Sequence, residues 1–211
     1  MKRRELLRLM AQGSALAACP SLAFGANQVP GDFKFGLQLS TLNRLMNEEF
    51  FETITLVKEM GYNVVEFSGG GYLGHDPQRV KAHLAELQLS APVGRVAPNY
   101  PPNYRSLSQE ERRAVGRSQG GLDDLVSKIS AALPIAVDMH QQYLNIPIIS
   151  EAEFTTRAKV ENVVRVLNEA GKLCQEKGVL LGYHNHAFEF ANVEGILPYD
   201  LMLAETDPDL V

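Results

Sequence analysis

Two histidines spaced two residues apart, His184 and His186, follow the apolar run Val179-Leu180-Leu181-Gly182-Tyr183. In extended backbone, residues i and i+2 point to the same face, so both imidazoles can be presented to one site. Imidazole is the commonest protein metal ligand near neutral pH. The pair would supply two ligands of a four-ligand cage, and a cation site needs more groups than these. The competing reading is a hydrogen-bonded core histidine beside one that borders a turn. Asp138 and His140 share the same spacing, but they precede a strand instead of ending one.

Positioning such groups requires strands that end together. From Phe33 onward, short apolar runs alternate with amphipathic helical patterns. Strands are expected near residues 35–40, 63–67, 92–96, 143–149 and 179–184. Between them Phe50, Ile54 and Val57 recur at helical spacing after Asn47-Glu48-Glu49, read as a capping asparagine followed by two acids at a helix start. Asp76-Pro77 opens a second helix, and Leu122 to Ala132 forms a third. The clearest helix carries the stripe Val160, Val163, Val164, Leu167, Ala170 and Cys174, closed by Gly178. Cys174 on that stripe reads as a small buried hydrophobe. Pro198 to Glu205 begins a further helix. Helix, glycine and apolar strand repeat as a unit, which predicts a parallel sheet with the strands adjacent in chain order. No Gly-x-Gly-x-x-Gly follows the first strand, which weakens a nucleotide-binding open sheet.

Composition is that of an ordinary globular protein, with 45% hydrophobic and 21% charged residues in 211. The net charge of −5 argues against nucleic acid as a partner. Residues 1–26 start with Lys2-Arg3-Arg4 and continue into an Ala/Leu-rich stretch, a pattern expected of a twin-arginine export leader. Two processing schemes stay open. Small residues around Ala23 suit a signal peptidase, whereas Leu16-Ala17-Ala18-Cys19 resembles a bacterial lipobox that would lipidate Cys19. The stretch is too short and interrupted to be a permanent transmembrane span. The expected location is therefore the periplasm, either soluble or lipid-anchored.

Gly61-Tyr62-Asn63-Val64-Val65-Glu66-Phe67, Gly71-Tyr72-Leu73-Gly74-His75 and Leu181-Gly182-Tyr183-His184-Asn185-His186-Ala187-Phe188-Glu189-Phe190 resemble the sugar phosphate isomerase/epimerase group. The resemblance spans residues 33–211 and implies an α/β fold, the xylose isomerase-like (β/α)8 TIM barrel. About five βα units fit, against eight and about 250 residues in the complete fold, so the chain reads as the first part of a longer barrel. The resemblance also implies one divalent cation (Mn, Mg, Co or Zn), a small carbohydrate substrate, and proton transfer between carbons beside a carbonyl or hydroxyl.

On that reading Glu66 and His184 are the catalytic candidates. His184 and His186 are the metal candidates, and His75, Arg95 and His186 the substrate contacts. His184 falls where many relatives carry a glutamate ligand, and Arg95 where they often show a histidine; Arg95 would clamp an anionic or hydroxylated substrate. Glu66 is equally readable as a strand-end acid paired to a base, and His75 as a loop residue facing solvent. Tyr100 and Tyr104 in the proline-rich Asn99–Tyr104 segment suit stacking on a sugar ring, or are simply surface aromatics. The function expected is a metal-dependent sugar isomerase or epimerase. The alternatives are a keto-sugar lyase or hydratase on the same barrel, and a non-catalytic carbohydrate-binding barrel.

Overall fold

The computed structural model describes residues 34–67, 71–96, 107–108, 110–111, 114 and 121–211. The leader with Cys19, most of the glycine cluster and the Asn99–Tyr104 segment lie outside the described residues. The body from Phe35 to Val211 alternates strands with helices: β1 (Gly36–Gln38), α1 (Asn43–Glu48), α2 (Phe50–Glu59), β2 (Val64–Glu66), α3 (Pro77–Glu86), β3 (Val93–Arg95), α4 (Leu125–Asp138), β4 (Tyr143–Ile146), α5 (Arg157–Gln175), β5 (Leu180–Tyr183) and α6 (Pro198–Glu205).

Every strand pairing is parallel, and neighbours follow chain order as the repeat predicts. β1 pairs with β2, and β3, β4 and β5 form a second ladder. Among the described residues the two ladders are joined by one bridge, Val64 against Ser90 just before β3, where the Val65 N–H donates to the Ser90 carbonyl at 2.8 Å and the Ser90 N–H to the Asn63 carbonyl at 3.0 Å. Beyond β5 the Leu181 N–H donates to the Leu210 carbonyl at 3.3 Å, so the segment after α6 runs beside that strand.

The local causes are mostly those the sequence suggested. Gly61 (φ +93°) and Gly178 (φ +71°) take the left-handed conformation that ends α2 and α5. The Asp76 carboxylate accepts from the Gln78 N–H at 3.1 Å, with Pro77 in the first turn of α3. Two readings need correction. Asn47 is not a cap: it lies within α1, its side-chain amide donating to the Asn43 carbonyl at 2.6 Å, and α2 starts at Phe50 without a side-chain cap. The third helix runs Leu125–Asp138, passing through Pro134 instead of stopping at Ala132. Leu133 and Ala136 continue the buried face begun by Leu125 and Ile129, and that packing outweighs the hydrogen bond proline cannot make.

Burial alternates along the strands with period two. Val65, Gly94, Leu144, Ile146 and Leu181 are buried against the helices. Gln38, Glu66, Arg95, Asn145 and Gly182 occupy the opposite face and keep partial exposure. That inner face carries the polar candidates. Cys174 is fully buried and its thiol is pushed up to about 11 by burial, so it behaves as the small hydrophobe expected.

Packing between α5 and the chain beside β5 is tight. A Cβ added at Gly171 would lie 2.8 Å from both the Cβ and the carbonyl oxygen of Leu210. Because backbone cannot rotate away as a flexible side chain can, Gly171→Ala is expected to cost about 1–3 kcal/mol. Denaturant unfolding of the variant checks this; an unchanged midpoint would mean that the contact relaxes freely.

Candidate active site

β2 and β3 each end on a functional side chain, His184 directly follows β5, and the parallel register brings the three together. Arg95 closes β3 opposite Asn145 of β4, which in turn lies opposite Gly182 of β5. The Arg95 Nε lies 3.3 Å from Glu66 Oε1, with the arginine side chain 8% exposed and the glutamate 28%. Its Nη2 lies 3.3 Å from His184 Nδ1. One guanidinium therefore bridges a carboxylate and an imidazole.

Arginine only donates, so Nδ1 of His184 must accept, and a neutral ring then carries its proton on Nε2. Burial, then the neighbouring Arg95 guanidinium and His186, hold His184 below the usual histidine value, against the opposing pull of Glu66 and Glu189. The folded value lies below the unfolded one. The stability contributed by this group is thus fully present above about pH 6.5 and is lost as pH falls through the folded value. An NMR titration should show His184 protonating below an exposed histidine of the unfolded chain. A titration at or above the ordinary value would break the Arg95 assignment.

β5 stops at Tyr183, so only His184 is held by the sheet, its N–H donating to the Ile146 carbonyl at 3.0 Å. His186 stands one turn further on, its ring centroid 5.4 Å from that of His184 and stacked on Phe188 at 5.5 Å. What fixes this turn is Glu189, which is fully buried. Its carboxylate accepts from the Tyr183 hydroxyl and, at 2.8 Å, from the His186 N–H. Burial first, and then the Glu189 carboxylate, push the Tyr183 hydroxyl far above its ordinary value, keeping it a donor. Glu189 is the positioning residue that sequence reasoning passed over. Its only signal was an acid between two phenylalanines, where an exposed carboxylate is the ordinary expectation.

The two imidazoles do come together, yet the described residues do not by themselves fit a divalent ion there. No group of three or more His, Cys, Asp and Glu side chains converges among the described residues. The lone pair at His184 Nδ1 faces a guanidinium, a fixed cation that would repel another. His75 does not join the cluster by contact. Its ring packs against Phe50 and Phe51 at centroid distances of 4.3 and 5.0 Å, although it shares with Arg95 a cavity of about 410 Å³ that Tyr72, Lys128 and Gln141 also line. Asp138 is occupied at the end of α4, accepting from Lys81 at 3.1 Å and Gln78 at 2.8 Å.

No family model matches the chain. It is similar to the inosose dehydratase of Geobacillus kaustophilus (strain HTA426), with 26% identity over 160 residues that cover 76% of this chain and 50% of that protein. Two crystal structures of a sugar phosphate isomerase/epimerase from Parabacteroides distasonis ATCC 8503 superpose with TM-scores of 0.68 and 0.67 at 19% and 24% identity. They cover 89% and 83% of this chain, which spans 66% of each. The fold is an incomplete, open TIM-barrel arrangement of βα units. The chain spans half the length of the curated relative it matches. In such barrels the C-terminal strand ends form the active site, and Glu66, Arg95 and His184 stand at that end. Among the described residues, no helix is long and apolar enough to cross a membrane.

Proposed function

We propose that the full-length protein is an enzyme acting on a carbohydrate or related keto-polyol by moving a proton at a carbon beside a carbonyl. The observation that carries this reading is the bridge from Glu66 through Arg95 to His184. A neutral imidazole and a carboxylate are two proton acceptors, as removal and return of a proton require. The guanidinium between them supplies hydrogen-bond donors for the oxygen on which negative charge develops when the proton leaves. Isomerisation or epimerisation follows when a proton returns to carbon. Residues 1–26 are proposed as an export leader, placing the reaction outside the cytoplasm, where unphosphorylated sugars are the available class.

A second reading, loss of water from a keto-polyol, is favoured by the similarity to a protein named inosose dehydratase. It begins with the same proton removal and differs in expelling a neighbouring hydroxyl. Incubation of the full-length protein with ketoses and an inosose in D2O separates the two. Deuterium beside the carbonyl in a recovered isomer supports the first, and an unsaturated product the second. A protein that binds these sugars without exchanging any C–H proton would be a binding barrel, and the catalytic reading would fall.

A further inference from the structure

Among the described residues three side-chain polar atoms are buried without a hydrogen-bond partner, His186 Nδ1 and two on the inner face that belong to residues paired in register. Arg95 Nε is a donor and Asn145 Oδ1 an acceptor. Arg95 Nε does lie within ion-pair distance of Glu66, but not in hydrogen-bonding alignment. Buried polar atoms are nearly always satisfied, because leaving one unpaired costs about 1–3 kcal/mol. Two such atoms of opposite sense, side by side at the active end of a barrel sheet, need an explanation beyond packing.

The neighbouring position on β5 leaves space for one. Gly182 is the register partner of Asn145, and a Cβ built there would stand 3.7 Å from Asn145 Oδ1, in ordinary contact with it. With glycine there, no β5 side chain at this position packs on Asn145 Oδ1, although the atom itself is closed to solvent. Arg95, the register partner of Asn145 on the β3 side, is held at the far end of its guanidinium by a contact to His184 of 3.3 Å, at the long limit for such a bond.

We propose that Arg95 and Asn145 form a subsite for two adjacent oxygens of the substrate, a carbonyl oxygen that accepts from Arg95 Nε and a neighbouring hydroxyl that donates to Asn145 Oδ1. The chemical class that fits is an α-hydroxy ketone, as found in ketoses and keto-cyclitols. Entry of the ligand lifts the guanidinium from His184 and frees the imidazole lone pair for the proton. The inference rests on the carbohydrate reading above and adds the residue that selects for the hydroxyl.

The test compares the full-length protein with its Asn145→Ala variant by calorimetric binding of D-fructose, an inosose, and their dideoxy forms lacking both hydroxyls beside the carbonyl. The variant is expected to bind the two hydroxy ketones about 10-fold more weakly, the worth of one hydrogen bond at a buried site. It should bind the deoxy forms as the parent does. Its melting temperature should stay level or rise, because an unpaired acceptor has been removed. Equal binding of the hydroxy ketones by parent and variant would overturn the subsite while leaving the carbohydrate reading intact. A variant that melts lower and loses affinity for hydroxy and deoxy ligands alike would show a merely structural asparagine. A parent that binds none of the four overturns both.

Discussion

Replacing Arg95 by methionine is expected to lower turnover about 10²–10³-fold, the usual cost of losing a donor to a developing oxyanion. Methionine keeps much of the length and the apolar stem and deletes only the charged head. Two further consequences separate this from general damage. Glu66 loses its ion-pair partner, and His184 loses both the charge that depresses it and part of its burial. The His184 titration should therefore move up toward the ordinary value of about 6.5. The acid limb of any pH–rate profile should move with it. A lysine in place of the methionine restores the charge but not the fork that reaches two partners, so recovery should be partial. Turnover retained in the methionine variant would mean that Arg95 is only a strut between strand ends.

The second large effect is expected at Glu189. Glu189→Leu fills the same buried space and strands two donors, the Tyr183 hydroxyl and the His186 N–H. At about 1–3 kcal/mol for each, the variant should lose roughly 2–6 kcal/mol of stability and loosen the His184–His186 turn. Glu189→Gln is the control. Its amide oxygen can accept from the His186 N–H while its NH2 donates to the Tyr183 oxygen, so most of the stability should return. Urea unfolding of both variants, read beside the proton spectra of the two histidines, measures the effect. A leucine variant as stable as the parent would show that the stacked Phe188 and the surrounding apolar contacts hold the turn alone.

The parts of the fold that were readable beforehand are those set by local chemistry. Gly61 and Gly178 end helices because only a residue without a side chain takes that backbone easily, and this holds in any tertiary context. The stripe on α5 is buried because its period matches the helix. The errors arose where a tertiary contact overrode a local preference. Asn47 found a partner one turn back instead of capping the next helix, and Pro134 was carried through by the buried Leu133 and Ala136. Of the site, the strand-end positions of Glu66, Arg95 and His184 were legible. Their mutual contacts were not, since Arg95 and His184 are 89 residues apart and only the sheet register makes them neighbours. Glu189 was illegible for a different reason. Nothing in a sequence distinguishes a carboxylate that two donors draw inward from one that faces water.

The narrow join at Ser90 also bears on how this barrel can be recombined. Two core clusters, one built around Val65, Ile54 and Phe50 and the other around Leu144, Ile129 and Leu167, lie on either side of it. A chimera that takes β1 through α3 from one barrel and β3 onward from another would cut few sheet bonds and divide the first core only at Met139, which follows α4 yet packs with Val65 and Ile54. A crossover placed between α5 and Leu210 would instead set a foreign helix surface against the backbone that Gly171 now admits. The polar cluster crosses the first boundary, since Glu66 lies before it and Arg95 after it. Such chimeras would fold from modules already compatible, while the charge pairing at the mouth would have to be matched anew.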